Sequence, residues 1–425
     1  MSAVPAREWI AGRAILGMRF GTDRMLQLLA ALGDPQLHAP ALHVVGTNGK
    51  SSTARLATAA LMGEGLRVGT YLSPHIVDWS ERIQVDGVPV GEGLFTEAVE
   101  AVRDAAEALV LPEGDAVTQF EALTAAAFWV FRRSAVQAAV VEAGLGGRFD
   151  ATNVLQPHAA VALTNISLDH TELLGVTEAE IAAEKLAVCP EGHRRLVVGP
   201  CSTVAQAGVD AECARRGLVP LRFGHGLTLD VEGDSVTVHT PHASYPGIEL
   251  SLVGAHQRDN LAVAVAGAEM VVGGPLDAAA LAPSVGAVRL PGRLEWVSGE
   301  PPVLLDGAHN PAGIAALVES LPAVVGERRP RVAVMSMLGD KDISAMLAEL
   351  APHLDGLVAT GSHHVRALPA AVVAEMARAH GLEARVELRP EASLAAAREW
   401  AGPRGVVIVA GSLYLLGDIR EVALS

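Results

Sequence analysis

Residues 42–52 read L-H-V-V-G-T-N-G-K-S-S. The apolar run Leu42–Val45 predicts a buried strand, and the glycines after it predict a turn that leads into a helix. In such a turn, backbone N–H groups converge on phosphate oxygens while Lys50 supplies a mobile positive charge. The usual G-x-x-x-x-G-K-[ST] pattern has glycine where Val44 stands, so the stretch indicates a variant phosphate-binding loop. An ordinary strand–helix turn with an incidental Gly-Lys pair is the alternative.

The rest of the chain alternates short β-branched runs with Ala- and Leu-rich segments of helical period. This alternation predicts an α/β protein with a mainly parallel sheet covered on both faces. Leu227–Leu252 differs, because its Thr, Val and His residues alternate, and it predicts a small antiparallel excursion at the edge of the first domain. The predicted strands are Leu42–Val45, Arg67–Tyr71, Ala138–Val141, Ala160–Thr164, Leu196–Val198, Val303–Leu305, Arg331–Met335, Gly356–Thr360 and Val406–Ala410, and the predicted helices include Ser52–Met62, Phe120–Arg132, Ala179–Leu186, Asn260–Met270 and Ile343–Leu350.

A domain boundary is expected near Val288–Leu294. A helix starting at Asn260 ends before this point in a Gly-Gly-Pro turn, and the sequence L-P-G-R at 290–293 opens a new strand–loop–helix alternation. The prediction is therefore an N-terminal domain of residues 1–288 and a C-terminal domain of residues 289–425.

Composition excludes several classes of protein. The chain has 425 residues, a formal net charge of −16 and 50% hydrophobic residues, which argues against disorder and against binding to a nucleic-acid backbone. Three cysteines outside any C-x-x-C spacing favour a reduced, intracellular chain. The N-terminus lacks a signal-peptide pattern, and the most apolar stretch, Ala122–Phe131, is too short for a membrane span. We expect a cytoplasmic protein with no nucleic-acid or membrane partner.

Polar residues follow several of the predicted strands directly. Ser73 comes after the second strand, Glu142 ends the strand before a glycine-rich run, and Asp169 and His170 follow the next strand. Such residues face the crevice in which open α/β sheets bind ligands. The alternatives are that Glu142 caps a helix and that His170 is an ordinary surface histidine, but several such residues beside a phosphate loop favour a site.

With these segments, the chain resembles the folylpolyglutamate synthase/dihydrofolate synthase family of the Mur ligase superfamily. The matching motifs occur in order along most of the sequence, and the glycine-rich run and D-G-A-H-N-P distinguish this family from the cell-wall Mur ligases. They are G-T-N-G-K-S-S at 46–52, S-P-H-x(5)-E-R-I at 73–83, F-E-A-L-T at 120–124, E-A-G-L-G-G-R-F-D-A-T-N at 142–153, L-D-H-T-E-x-L-G at 168–175, A-E-K at 183–185, H-Q-x-x-N at 256–260, P-G-R at 291–293, D-G-A-H-N-P at 306–311, L-G-D-K-D at 338–342 and G-S-L-Y at 411–414.

The resemblance implies a P-loop-type N-terminal domain with a mainly parallel sheet, a smaller Rossmann-like α/β C-terminal domain, and ATP bound between them. It implies that ATP contacts Asn48, Gly49, Lys50, Ser51, Ser52, Asn260, Arg293 and Asp306. It implies two Mg²⁺ ions served by Ser73, Glu142, His170 and a carbamylated Lys185. Lys50, Lys185 and His309 would be catalytic, while Met18, Arg19, Phe20, Thr118 and Phe120 would lie near the pterin site.

Two positions depart from the family pattern. Ser51 stands where glycine is usual, so either Ser51 or Ser52 could be the metal hydroxyl. The residues after Lys185 are Leu-Ala-Val instead of the common Ala-Gly-Ile. Without the family, Lys185 would be interpreted as a helix lysine paired with Glu184, and the D-G-A-H-N-P loop as a helix cap made by Asn310.

The activity implied by the resemblance is ATP-dependent addition of L-glutamate to dihydropteroate or a reduced folate through an acyl phosphate. Phosphoryl transfer of this kind depends mainly on positioning and on neutralising charge. We expect a monomer whose partners are these small molecules. A cell-wall Mur ligase would need a UDP-sugar-binding domain ahead of the loop, where only 45 residues precede Gly46. The remaining alternative is a nucleotide-binding protein without catalysis.

Overall fold

The computed structural model describes residues 4–17, 19 and 21–424. Met18 and Phe20, which were predicted to lie near the pterin site, fall outside the described residues. The chain divides into two compact units: Met1–Leu250 with Arg258–Val288, and Ser251–Gln257 with Arg289–Ser425. The short segment Ser251–Gln257 therefore packs with the second unit, although the chain returns to the first unit directly after it.

The first unit is built on one sheet, which has eleven strands within the described part of the chain, in the order β11-β10-β9-β8-β7-β6-β1-β5-β2-β3-β4. Its centre is parallel, with β2, β5, β1, β6, β7 and β8 side by side. Its strands are β1 Ala41–Val45, β2 Val68–Tyr71, β3 Ile83–Val85, β4 Val88–Pro89, β5 Ala138–Glu142, β6 Ala160–Leu163, β7 Leu196–Val198, β8 Pro220–Phe223, β9 Gly226–Glu232, β10 Ser235–His239 and β11 Ser244–Glu249.

Helices cover both faces of this sheet, as its fully buried central strands require. One face carries a core that includes Tyr71, Phe95 and Phe128, and each such side chain contributes roughly 1.5–3 kcal/mol by leaving water. The helices are α1 Ala6–Gly12, α2 Asp23–Ala31, α3 Lys50–Gly63, α4 Glu92–Ala108, α5 Gln119–Arg133, α6 Thr171–Leu174, α7 Glu178–Leu186, α8 Thr203–Arg216, α9 Ala255–Val272 and α10 Ala278–Gly286, and α9 begins in the segment that belongs to the second unit.

The second unit has a six-stranded sheet in the order β12-β13-β17-β14-β15-β16, counted over the described residues. All neighbours are parallel except β12, which runs antiparallel to β13 at the edge. The strands are β12 Glu295–Val297, β13 Val303–Leu305, β14 Arg331–Met335, β15 Gly356–Ala359, β16 Ala384–Val386 and β17 Val406–Ala410, and the helices are α11 Pro311–Val325, α12 Ile343–Leu350, α13 Ala370–Ala379, α14 Pro390–Ala401 and α15 Leu413–Leu424.

The strands predicted from the sequence are present, and the antiparallel excursion is confirmed as β9, β10 and β11 at one edge of the first sheet. Helix boundaries differ by a few residues. Helix α3 begins at Lys50 and not Ser52, because Gly49 takes a left-handed conformation (φ 80°) that turns the chain directly into the helix. Helix α9 begins at Ala255, five residues before the predicted start. The prediction began too late because the first turns of this helix are polar and show no apolar period.

None of the helices within the described residues combines the length and the apolar composition that crossing a bilayer would require.

Candidate active site

The loop between β1 and α3 is held in place by the residues that follow β6. The carbonyl oxygen of Asn48 accepts hydrogen bonds from Oγ1 of Thr164 (2.6 Å) and Nδ2 of Asn165 (3.1 Å), and its N–H donates to Oδ1 of Asn165 (3.0 Å). The hydroxyl of Thr47 donates to the carbonyl oxygen of Ser167 and accepts from the N–H of the same residue. The loop is therefore a rigid turn at the carboxyl edge of the sheet.

Lys50 opens helix α3 and curls back over this turn. Its ammonium donates to the carbonyl oxygens of Gly46 and Thr47, each at 3.1 Å. Oδ1 of Asn260 accepts from Thr53 (3.4 Å) and sits so close to Gly49 that a Cβ there would lie 2.4 Å from it. The first turn of α3 also presents N–H groups that no earlier helical carbonyl can bind. This is the geometry of an anion-binding loop, and Asn260 lies against it.

Glu142, at the end of β5, contacts both the loop helix and the segment after β2. It is 1% exposed, and its Oε1 accepts from Oγ of Ser51 (2.9 Å) while Oε2 accepts from the N–H of Ser73 (3.1 Å). The alternative that Glu142 caps a helix is not what the structure shows. Ser73 contacts Glu142 through its backbone N–H. The hydroxyl beside the carboxylate is that of Ser51, whereas Ser52 is buried. Arg55, one turn later on α3, adds a positive charge near Glu142.

Asp169 and His170 lie on the same edge, after β6. Oδ1 of Asp169 accepts from the N–H of His170 at 2.8 Å and lies 3.9 Å from Nε2 of its ring. His170 has φ 50°, an uncommon conformation for a non-glycine residue, and its side chain is 29% exposed. The ring is therefore partly open to solvent and oriented by a buried carboxylate.

Lys185 on α7 is buried. It is only 4% exposed, so the alternative of a surface lysine paired with Glu184 is wrong, and Glu184 instead pairs with Arg148 at 3.0 Å. Burial, reinforced by the positive charge of Lys50, lowers the pKa of Lys185 to about 7, while the charge of Asp169 acts in the opposite direction. The structure thus brings Lys185 into the same charged group as Lys50 and Asp169.

A buried polar chain, absent from the sequence-based predictions, shapes the glycine-rich turn after Glu142. Nε2 of His43 lies 2.8 Å from Oγ1 of Thr152, whose hydroxyl donates to Asp150. Asp150 also accepts from the N–H of Leu145 (2.8 Å) and that of Thr152 (2.9 Å), and burial raises its pKa. Burial likewise lowers the pKa of His43 to about 4. A neutral His43 can therefore donate from Nε2 while Thr152 donates onward to Asp150.

Two of the residues predicted for the pterin site, Thr118 and Phe120, lie at the start of α5. The ring of Phe120 lies against Gly144, where an added Cβ would be 2.4 Å from its Cζ. The centroid of the same ring lies 6.0 Å from that of Tyr71. The hydroxyl of Thr118 is used locally, because it donates to Oε2 of Glu121 (2.8 Å) and accepts from the Glu121 N–H. Thr118 is thus a helix cap, while Phe120 contacts the turn that follows Glu142.

In the second unit, the D-G-A-H-N-P loop follows β13. Asp306 is 8% exposed and accepts from the N–H groups of Leu294 (2.9 Å) and Ala308 (2.8 Å), and burial raises its pKa although the charge of Arg293 opposes this. Nδ1 of His309 lies 2.7 Å from the carbonyl oxygen of Gly307. Asn310 does cap α11, as the alternative interpretation held, but Asp306, Arg293 and His309 still gather around one loop.

The sequence analysis assigned no role to a second group in this unit. Ser336 and Thr360 follow the paired ends of β14 and β15, and their hydroxyls are buried without a hydrogen-bond partner among the described residues, as is that of Ser362. Lys341 lies in the next loop with its side chain only 4% exposed, 3.7 Å from Asp340. A buried ammonium and three hydroxyls at the carboxyl edge of a parallel sheet suit an anionic ligand.

One sequence signal could have identified Lys341. The 32 basic residues include only three lysines, Lys50, Lys185 and Lys341, and the rest are arginines. Lysine and arginine are not interchangeable where a compact point charge is needed, so a lysine in such an arginine-rich chain is a candidate for function. Lys50 and Lys341 follow the carboxyl ends of β1 and β14, and Lys185 is buried on α7. Among the described residues, no group of three or more His, Cys, Asp or Glu side chains could hold a metal ion.

Comparisons with known proteins agree with this architecture. The family model of the Mur ligase glutamate ligase domain matches residues 292–413. A dihydrofolate synthase/folylpolyglutamate synthase from Bacillus subtilis is 34% identical over 426 residues, which is 98% of this chain and 98% of that protein. The fold and the matched domain are those of the Mur ligase superfamily. Within it, the chain belongs to the folylpolyglutamate synthase/dihydrofolate synthase family.

Two solved structures extend the likeness to nearly the whole fold. Escherichia coli FolC in complex with DHPP and ADP has a TM-score of 0.88 at 29% identity, and the match covers 99% of this chain and 98% of that one. A bifunctional folylpolyglutamate synthase/dihydrofolate synthase from Yersinia pestis, complexed with AMPPNP and a Mn ion, has a TM-score of 0.86 at 29% identity with the same coverage.

Proposed function

We propose that this protein is an ATP-dependent ligase that adds L-glutamate to the carboxylate of dihydropteroate, of reduced folates, or of both. The observation that carries the proposal is the contact between Ser51 of the phosphate loop and the buried carboxylate of Glu142, in a chain of this family. The γ-phosphoryl group passes to a carboxylate oxygen of the acid, and ADP leaves. The glutamate amine then attacks the acyl carbon, loses its proton, and releases phosphate.

The protein's part in the first step is to hold the triphosphate and neutralise its charge. The rigid turn clamped by Asn165 and Thr164 fixes the N–H groups of the first helical turn. Lys50 can exchange its two carbonyl partners for phosphate oxygens, because those bonds involve a flexible side chain at a half-buried position. Asn260 packs against the loop and is proposed to contact the nucleotide, while the same role for Arg293 and Asp306 stays a prediction.

The residues around Glu142 fit Mg²⁺. Hard divalent cations take oxygen ligands, and here a buried carboxylate lies beside the hydroxyl of Ser51. His170, which follows β6, is proposed as a single nitrogen ligand. When bound, Mg²⁺ supplies charge neutralisation for the phosphates. We propose two such ions, held by Ser73, Glu142, His170 and Lys185, with Ser51 as the loop hydroxyl. Mg²⁺ titrations of each variant against ATP turnover would test this ligand set.

Lys185 is proposed to be carbamylated. An ammonium buried near Lys50 is unfavourable, and reaction of the neutral amine with CO₂ would convert it into an anion with oxygen ligands. Because the chain has only three lysines, ¹³C NMR of protein equilibrated with ¹³C-bicarbonate should show a carbamate signal that disappears in Lys185→Ala. Short carboxylic acids should restore part of the activity of that variant. A spectrum without this signal, together with no rescue, would refute the modification.

The second unit is proposed to receive L-glutamate. The buried ammonium of Lys341 and the free hydroxyls of Ser336 and Thr360 are suited to a carboxylate, and they lie in the matched glutamate ligase domain. Lys341→Gln should raise the KM for glutamate while the KM for ATP stays near its original value. His309, at the neighbouring loop, is proposed to act on the reacting groups.

The decisive assay measures ADP and phosphate release that depends on both glutamate and a pterin acid, with dihydropteroate and tetrahydrofolate tested side by side. Turnover with both acids supports a bifunctional enzyme, and turnover with one assigns the single activity. ATP that is bound but never hydrolysed with any acid would favour the noncatalytic alternative. Sedimentation should show a monomer of 44.0 kDa.

A further inference from the structure

We propose that Arg24, Asp115 and Glu121 form an ion-paired cluster that positions the acid-substrate site at the start of α5. None of these residues belongs to the site predicted from the sequence. The inference rests on the proposed function, since it concerns the binding of the pterin acid. It assigns the three residues as positioning residues, which act through Thr118, Phe120 and Arg19 and not by touching the reacting atoms.

The centre of the cluster is a buried, two-point ion pair. Arg24 on α2 donates from Nε to Oε2 of Glu121 at 2.9 Å, and its Nη2 lies 2.9 Å from Oε1. The two side chains are 9% and 5% exposed. The Nε–Oε2 contact is a charge-assisted hydrogen bond, which fixes orientation as well as distance, and the Nη2–Oε1 contact adds a second charge contact without hydrogen-bond geometry. The pair therefore locks α2 against the first turn of α5 in one geometry.

Glu121 passes this constraint to the residues around Phe120. Its Oε2 also accepts from the N–H and the hydroxyl of Thr118, each at 2.8 Å, so the same oxygen caps the helix and binds Arg24. Phe120 lies between these two residues in sequence, and its ring packs against Gly144 of the turn after Glu142. A shift of Glu121 would therefore move the ring that faces this turn.

Asp115 links the cluster to the N-terminal segment. It accepts from Nη1 of Arg24 at 2.9 and 3.0 Å and from Nη1 of Arg19 at 2.7 Å. Arg19 also donates to the carbonyl oxygen of Gly114 at 2.8 Å. Arg19 was predicted to lie near the pterin site together with Thr118 and Phe120. Arg24 thus connects, through one guanidinium, the two separate parts of the chain assigned to that site.

The geometry favours positioning over simple stabilisation. A buried ion pair is weak evidence for stability, because desolvating both charges offsets much of their attraction, and apolar side chains of similar size often stabilise as well. What an apolar pair cannot supply is the fixed direction of several hydrogen bonds. Arg24 contacts Glu121 and Asp115 at the same time, so this one side chain can fix the positions of the two segments relative to each other.

The test compares Arg24→Lys, Asp115→Asn and Glu121→Gln with wild type in steady-state assays. Lysine keeps the charge of Arg24 but cannot span both carboxylates. We expect each variant to raise the KM for the pterin acid by about tenfold, with the KM for ATP and for glutamate within about twofold of wild type. Asp115→Asn alters a quarter-exposed side chain, so it keeps the test available if the buried variants fold poorly.

Arg103→Lys is the matched control. The side chain of Arg103 on α4 is 11% exposed, close to the 9% of Arg24, and it bonds to Asp104 and to the carbonyl oxygen of Val4 instead of to Glu121 or Asp115. It should lower thermal stability without changing the KM for the pterin acid. An unchanged KM in folded Asp115→Asn and Arg24→Lys would overturn the positioning role. A wild-type protein that turns over no pterin acid would instead refute the proposed function itself.

Discussion

The hydroxyl of Ser51 donates a 2.9 Å hydrogen bond to Oε1 of Glu142. These residues are 91 positions apart in sequence, and the contact exists because β1 and β5 are parallel neighbours with Val44 opposite Glu142. The strand pairing thus delivers the carboxylate to the first turn of the phosphate-loop helix. Both oxygen groups are proposed ligands of Mg²⁺, and neither segment alone could supply both.

This contact distinguishes the two serines after Lys50. We predict that Ser51→Ala raises the Mg²⁺ concentration for half-maximal turnover by about tenfold, because it removes the hydroxyl beside Glu142. Ser52→Ala should change this concentration little, since its side chain is 3% exposed and lies on the buried side of α3. Mg²⁺ titrations of both variants at saturating ATP would check this. The reverse order of effects would assign the metal hydroxyl to Ser52.

Lys50→Ala should reduce ligation at least ~100-fold while the fold persists. The ammonium donates to the loop carbonyls of Gly46 and Thr47 from a half-buried position, so little packing is lost. Turnover and the thermal midpoint should be measured on the same preparation. Near-normal turnover would contradict the assignment of the phosphate loop.

Gly144→Ala should weaken pterin-acid binding, because its Cβ would lie 2.4 Å from Cζ of Phe120. Forcing the ring aside costs about 1–3 kcal/mol in overpacking, which should lower stability and raise the KM for the acid. Adding Phe120→Leu should recover stability by removing the clashing ring edge. It should not recover the KM, since the ring itself is then missing. Thermal melts and KM values of the single and double variants would show whether the two effects separate.

Glu269 provides a pH-dependent prediction away from the site. It is 2% exposed on α9 and accepts from the hydroxyls of Tyr245 (2.6 Å) and Thr240 (2.8 Å), and burial raises its pKa above the usual 4.5. The unfolded chain therefore releases this proton at a lower pH than the folded protein does. The stability that Glu269 contributes is complete below about pH 4.5 and declines as the pH rises through the folded pKa.

Glu269→Gln should thus gain free energy of unfolding relative to wild type as the pH increases from 4 to 7, because the glutamine amide has no proton to lose in this range. Glu212→Gln is the control with the opposite sign, because hydrogen bonding from Arg215 lowers the pKa of Glu212. Wild type should gain stability over that variant as the pH increases. Urea unfolding at both pH values measures the two differences, and parallel curves for Glu269→Gln would contradict the prediction.

The elements that sequence analysis located well were those whose signal is local. The strands are short apolar runs. The phosphate loop is a contiguous stretch whose residue types indicate phosphate binding without any knowledge of their tertiary contacts. Some side chains have two local roles that the sequence cannot separate. The hydroxyl of Thr118 forms the capping box with Glu121, while the place of Thr118 near the pterin site stays a prediction.

The hydrogen-bonded chain of Asp150 and His43 was not predicted, for a different reason. The two residues are connected through Thr152, and the separation of 109 positions between His43 and Thr152 leaves no periodic signal. The group of Lys341 and the free hydroxyls was missed because serine and threonine after a strand are common. Only their burial without partners distinguishes them.

By itself, the sequence determined the order of strands and helices, the phosphate loop after β1, and the identity of the polar groups placed at strand ends, because each of these depends on residues adjacent along the chain. Only the tertiary structure decided that Lys185 is buried. Its neighbour Glu184 is occupied by Arg148, and the sheet brings α7 close enough for the charge of Lys50 to act on it. Burial and charge depend on what surrounds a side chain in space, and for Lys185 those surroundings include Lys50, which is 135 positions away in sequence.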